Sequence, residues 1–293
     1  MTLFHWQIQR ELQRLDGVSP EMLNTQDVDG DTFLHIAVAQ ERRALAYALA
    51  TTMSGWGSLD TKERNGQTAL QVAAAADQQF IVHDLLTLGA QVNTRDHWGR
   101  SPLHLCAEKG HCIWRTVAVS GQPVDIEMFN YDGLTPLHAA VLSHNAAVRA
   151  RRGLCLYEAR ELLQKAQMYV ECIKTLLLMG ASCGTKSGRT CLHMASEEAN
   201  VELFNVFLAQ PSSLSTFSGN TALHIVSSLQ NLDTQVEAAW LLMSRGADPG
   251  SRNLEKELPS LLAPEGPVDP EREIFKSLSE APKTLSVRQS NLS

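Results

Sequence analysis

Two clusters in this chain have the residue types that hold metal ions. In DVDGDTFLHIAV (27–38), Asp27, Asp29 and Asp31 alternate around Gly30, as at the start of a calcium loop. Such a loop needs glycine at its sixth position and a bidentate glutamate at its twelfth. Counted from Asp27, those positions hold Thr32 and Val38, so the calcium reading fails. The second cluster is His104, Cys106, His111 and Cys112, and a zinc site would need all four donors to converge. No Ser or Cys nucleophile arrangement, glycine-rich phosphate loop or pair of catalytic carboxylates stands out. The sequence therefore does not read as an enzyme, and no cofactor is expected.

The elements that position these residues belong to a repeat. GDTFLHIA, GQTALQVA, GRSPLHLC, GLTPLHAA, GRTCLHMA and GNTALHIV align on Gly30, Gly66, Gly99, Gly133, Gly188 and Gly219, at spacings of 36, 33, 34, 55 and 31. Two residues after each glycine stands Thr32, Thr68, Ser101, Thr135, Thr190 or Thr221. A hydroxyl there accepts from a free backbone N–H of a starting helix. Pro102 and Pro136 follow directly, where a missing N–H costs nothing. Each cap is predicted to open a short Ala-rich helix, followed by a bulkier one stopped by glycine in LLTLGA (85–90), LLLMGA (176–181) and LLMSRGA (241–247). No such unit buries its apolar side alone, so stacking must supply the core.

The repeat absorbs both clusters. Asp27 and Asp29 fall in the turn before a helix, His104 is a motif histidine, Cys106 fills a small-residue slot, and His111 follows Gly110. The motif histidines His35, His104, His138, His193 and His224 are expected to hydrogen-bond within the turns.

Composition narrows the class further. The chain has 293 residues and a net charge of −7, with no Lys/Arg run beyond Arg151-Arg152. Tracking a phosphate backbone needs clustered positive charge, so direct nucleic-acid binding is not expected. No run of 18 apolar residues occurs, and the first 15 residues lack a signal-peptide pattern. The six cysteines form no CxxC pair, which suits a reducing compartment.

With its turn, TPLH helix start and GA ending, the repeat resembles the ankyrin family. The expected fold is an all-α ankyrin-repeat solenoid: helix-turn-helix repeats with β-turn fingers, six clear repeats and a degenerate C-terminal capping repeat. The expected division is an N-terminal capping helix region (1–24), the repeat domain (25–280) and a disordered tail (281–293). In the last repeat Pro259 stands where the motif proline belongs, while glycine and hydroxyl are missing. Gln71 in place of histidine, Cys191 in place of proline and the short turn at 182–188 are expected to weaken individual fingers.

The spacing of 55 places an insertion at about 146–169, between the helices of repeat four. Leu156, Ala159, Leu163, Ala166, Val170, Ile173 and Leu177 recur at three and four, which predicts an outer helix extended backwards. Glu161 and Lys165 would lie on its exposed side, with Arg149, Arg151 and Arg152 in the loop ahead.

Function is expected at the fingers. DHWGR (96–100) and NYDGL (130–134) are unusually aromatic, and folding does not require Trp98 or Tyr131 there. Trp, Tyr and Arg dominate binding hot spots. The candidate partner-binding residues are Arg64, Asn65, His97, Trp98, Arg100, Tyr131 and Leu134.

FHWQIQ, DGDTFLHIAVAQ, WGRSPLHLCAEKGH, NYDGLTPLHAAV, GRTCLHMASEEANVEL and GADPGSRNLE together resemble the inhibitor-of-NF-κB family, in its atypical nuclear branch. That resemblance implies binding to Rel-homology dimers of NF-κB, preferably homodimers of the small processed subunit, with DNA reached only through NF-κB. It also implies coregulation of inflammatory genes in the nucleus, without membrane or small-molecule substrate. No import signal is legible in this chain. Two alternatives stand beside it: a cytoplasmic inhibitor that sequesters NF-κB, and a scaffold or ubiquitin-ligase substrate adaptor.

Overall fold

The computed structural model describes residues 2–111, 121–155, 159–184, 189–209, 219–229 and 234–263. The chain divides into two compact units, residues 1–185 and 186–293. The expected tail at 281–293, Cys112 and Leu156 lie outside the described residues.

The first unit opens with α1 (Leu3–Leu15), capped by Thr2, and the short α2 (Pro20–Leu23). Helix pairs follow: α3 (Phe33–Ala39) with α4 (Arg43–Ser54), and α5 (Ala69–Ala75) with α6 (Gln79–Thr87). Next come α7 (Pro102–Lys109), α8 (Pro136–Arg151) and α9 (Ala159–Leu178). The first helices of successive repeats, α3, α5, α7 and α8, pack in sequence, with α4 against α6 behind them. Small side chains set the approach on the short-helix side, where Ala37, Ala69, Ala73, Ala74, Ala107 and Ala140 are buried. Leu49, Met53, Leu85 and Ile173 fill the bulkier side. Each such large side chain contributes about 1.5–3 kcal/mol when fully buried.

Helix α1 lies against α4. There the Phe4 and Tyr47 rings meet edge to face, 6.2 Å apart. The Arg43 guanidinium sits 4.0 Å from the Phe4 ring centre and 4.7 Å from that of Phe80, while its Nε donates to Asp84 at 2.7 Å.

In the second unit, α10 (Cys191–Ser196) and α11 (Val201–Phe207) pack on α12 (Ala222–Ser228) and α13 (Gln235–Ser244), and a 3-10 helix (Pro259–Leu262) closes against α12. Phe204 and Phe207 are its largest buried side chains.

The repeat grammar is physical. Thr32, Thr68, Ser101, Thr190 and Thr221 each accept from the backbone N–H three residues on, and residue three closes a reciprocal capping box. Thr135 departs: its hydroxyl is engaged only with His138 Nδ1, at 2.7 Å. At the far ends, Gly89, Gly180 and Gly246 take left-handed φ, and Ala90, Ala181 and Ala247 each donate to a carbonyl five residues back.

Two expectations need correction. Arg149 and Arg151 are not in a loop; α8 runs 16 residues to Arg151, and Arg152 is its C-cap. The insertion lengthens both helices, because Val141, His144, Asn145 and Ala147 find a buried face against the 20-residue α9. Along α9, Leu163 is 50% exposed, whereas Tyr169, Cys172 and Leu176 join Ala159, Ala166, Val170 and Ile173 inside. The period of three and four was right, and its phase was shifted toward the aromatic residue. Glu161 and Lys165 are both exposed.

The second correction is Gln71. Its Oε1 accepts from Thr68 N–H at 3.0 Å and its Nε2 donates to the Arg100 carbonyl at 2.8 Å, the two bonds that a histidine makes in sister repeats. The capping repeat forms its turn without glycine. Lys256 takes φ +65 where glycine would stand, and Asn253 folds residues 253–257 as the other fingers fold.

Candidate interaction surface

The four fingers that start at Asp27, Glu63, Asp96 and Asn130 are each closed by the side chain of that first residue. Asp27 Oδ1 accepts from the amides of Asp29 and Asp31, both at 2.9 Å. Of the carboxylates that suggested calcium, that of Asp27 is thus spent on the turn. Glu63 accepts from Asn65 and Gln67, Asp96 from Trp98 and Arg100, and Asn130 from Leu134. Acidic and amide residues recur at this position because a short acceptor satisfies two amides that the turn leaves open.

Neighbouring fingers are stitched by their backbones. Arg64 N–H donates to the Asp29 carbonyl, His97 N–H to that of Asn65, and Tyr131 N–H to that of Trp98, each at 3.0 Å. Behind this row runs a second seam. Thr32 N–H donates to His35 Nδ1 at 3.3 Å, which leaves the imidazole proton on Nε2 to reach the Gln67 carbonyl of the next finger at 3.2 Å. His104 bonds Leu134 likewise and His138 bonds Cys183; in the second unit His193 bonds Asn220 and His224 bonds Glu257. Burial pushes His104 and His138 down to about 4, and His35 and His193 also below the ordinary imidazole value. These histidines are neutral structural links.

The seam leaves a row of fingertips facing solvent. Arg64, Asn65, His97, Trp98 and Tyr131 are exposed, and Trp98 and Tyr131 are 48% and 71% accessible. Val28, at the tip before Arg64, is 93% accessible. Of the seven candidate residues, Arg100 and Leu134 are half-buried. Leu134 serves the seam through its carbonyl. Arg100 donates to Asp96 Oδ2 at 2.8 Å and to Glu108 Oε2 at 2.9 Å, with its guanidinium 4.7 Å from the Trp98 ring centre. Burial raises the Glu108 carboxyl pKa, against the pull of Arg100. Arg100 therefore acts as a shelf for the indole, which sequence reasoning could not separate from a contact residue.

In the sulfur and imidazole cluster, His104 is committed to the seam, while Cys106 Sγ and His111 Nδ1 both face the Ala74 carbonyl, at 3.6 and 3.4 Å. Among the described residues no three His, Cys, Asp or Glu side chains gather as a metal ion would require.

Three copies of the family model described as ankyrin repeats match residues 7–96, 81–150 and 162–253. NF-kappa-B inhibitor delta of Mus musculus is 41% identical over 282 residues, covering 92% of this chain and 85% of that protein. The chain belongs to the NF-κB inhibitor family. Another family member, NF-kappa-B inhibitor zeta of Bos taurus, is 53% identical over 295 residues, covering 95% of this chain. The chain spans about two-fifths of the length of that relative, since 41% of it is covered. Among solved structures, the ankyrin repeat domain of Bcl-3, described as a member of the IkappaB protein family, matches with a TM-score of 0.67 and 27% identity, over 85% of this chain and 99% of that one. Membership fixes the fold as an ankyrin-repeat architecture, and the finger row is this family member's own exposed surface.

Proposed function

We propose that this protein binds Rel-homology dimers of NF-κB through its finger row and regulates transcription of inflammatory genes in the nucleus as a non-enzymatic coregulator. The carrying observation is the row itself: Arg64, Asn65, His97, Trp98 and Tyr131 exposed on backbones fixed by the inter-finger bonds. A preformed surface of this kind loses little conformational entropy on binding. Rigid aromatic tips beside an arginine supply hot-spot chemistry. The names of its relatives, NF-kappa-B inhibitors zeta and delta, support the choice of partner. A net charge of −7 suits the basic face of a DNA-binding dimer and would speed encounter. The preferred dimer is the homodimer of the small processed subunit.

A gel shift with Rel dimers prebound to DNA tests this reading. A supershifted ternary complex supports the nuclear coregulator. Release of free DNA supports instead a sequestering inhibitor, and silence toward every Rel dimer overturns both.

A further inference from the structure

Arg100 is anchored at two points that belong to different elements. Its Nε donates to Asp96 Oδ2 at 2.8 Å, inside the finger, and its Nη1 donates to Glu108 Oε2 at 2.9 Å, in the last turn of α7. The Asp96 carboxylate is buried, and its other oxygen closes the turn through the amides of Trp98 and Arg100. That anchor is part of the finger, whereas Glu108 reaches it from the helix. One anchor alone leaves a guanidinium free to swing about the bonded edge. Two fix its plane, because the fork is rigid.

Glu108 is itself held in place. The Tyr169 hydroxyl of α9 donates to the Glu108 carbonyl at 3.0 Å, at a helix end where carbonyls lack an internal partner. The Tyr169 ring lies over Gly110, where an added Cβ would stand 3.1 Å from Tyr169 Cδ1.

Arg189 and Glu197 form the same pair in the second unit, at the same spacing in the chain. There Ser187 precedes the finger glycine, in the place of Trp98. The ion pair therefore does not require an indole beside it. The indole 4.7 Å from the Arg100 guanidinium is particular to this finger.

We infer that Glu108 is a positioning residue for partner binding: acting from α7 through Arg100, it holds the Trp98 indole in the pose that a partner meets. The inference rests on the proposed function and deepens it, since it gives the helix behind the finger a share of the affinity. At cation–π distance from a fixed guanidinium, the indole has lost part of its rotamer freedom before a partner arrives. Ordering it on binding instead would weaken affinity about two- to tenfold. Glu108 needs no contact of its own with the partner.

A double-mutant cycle in the full chain tests this, read as affinity for the Rel homodimer on DNA. Glu108→Ala should weaken binding about two- to tenfold and should cost nothing further in a Trp98→Ala background. Glu108→Gln keeps an acceptor oxygen for Arg100 and should bind close to wild type. Equal losses in both backgrounds would mean that Glu108 touches the partner or only supports the fold. No loss in either would mean that Asp96 suffices as the anchor. Each of these results overturns the inference.

The indole gives a second readout that needs no partner. With the five tryptophans replaced by fluorotryptophan, the fluorine NMR signal missing from Trp98→Phe is that of Trp98. It should move in Glu108→Ala and stay in place in Glu108→Gln. Arg100→Lys keeps the charge without the planar fork, so it should move the signal too, and it decides the matter if Glu108→Ala does not fold. A signal that these changes leave in place overturns the inference. Should wild type bind no Rel dimer, the proposed function fails by itself, and the fluorine signal alone decides whether Glu108 positions the indole.

Discussion

The Tyr131 ring occupies the space that a side chain on Gly99 would need: a Cβ there would stand 2.7 Å from Tyr131 Cδ1 and 2.9 Å from the Tyr131 backbone nitrogen. Gly99 also has φ +76. Gly99→Ala should therefore cost about 1–2 kcal/mol in left-handed backbone and about 1–3 kcal/mol in overpacking. In urea denaturation, Tyr131→Ala should recover part of that cost in the double variant, since the backbone nitrogen remains in place. Strict additivity would show that the ring is not the obstacle.

Gln71 gives a sharper test of the seam. Gln71→His should unfold within about 0.5 kcal/mol of wild type, because imidazole repeats both bonds. Gln71→Leu leaves the Thr68 amide unmet, at about 1–3 kcal/mol for a buried group, and removes one of two donors from the Arg100 carbonyl, which keeps the Asp96 amide. Equal denaturation midpoints for the two variants would refute the assignment.

Acid should loosen the fold through the same seam. His104 and His138 are held at about 4 in the folded chain, below the ordinary 6.5, so the unfolded chain binds more protons between those values. Their neutral form contributes fully above pH 6.5, and the contribution is lost as pH falls toward 4. Each site loses about 3 kcal/mol over that window. His104→Gln should flatten the pH dependence measured by denaturation between pH 7.5 and pH 5, while keeping stability at pH 7.5.

At the fingertips, Trp98→Ala should weaken partner binding by about 2 kcal/mol, roughly thirtyfold. Melting temperature should not move. Arg100→Ala should weaken binding as well by freeing the indole, and it should also lower stability by leaving Asp96 buried without its ion pair. A Trp98→Ala protein that melts early would make the indole a structural residue.

Lys256 at φ +65 carries a left-handed penalty that glycine escapes. Lys256→Gly should slow amide exchange around 253–257, with a net gain below about 1 kcal/mol after the flexibility of glycine in the unfolded chain is counted. Faster exchange there would show that the lysine side chain itself holds the turn.

The helix starts were legible because Thr or Ser, apolar spacing and the glycine before them each mark the same boundary. The stops at Gly89, Gly180 and Gly246 were legible for the same reason. Lys256 was not, because a non-glycine residue in the left-handed region leaves no mark in the letters. Glu41, Asp77 and Ala199 share that conformation in the turns between paired helices. The split of the insertion between α8 and α9 was hidden because AAVRARR carries too few apolar residues to show a period, and its face is built from His144 and Asn145 as much as from alanines. The fingertips could be located from the repeat. Which of their residues face outward depended on ion pairs, as at Arg100, that lie eight positions apart in the chain.

The bond from His35 to the Gln67 carbonyl points forward along the chain, as do those from Gln71 to Arg100 and from His104 to Leu134. A repeat leaving the ribosome therefore carries an unmet buried donor until the next finger, some thirty residues later, has been made. Synthesis order and assembly order coincide, and a chain cut between fingers exposes its last histidine as an open end.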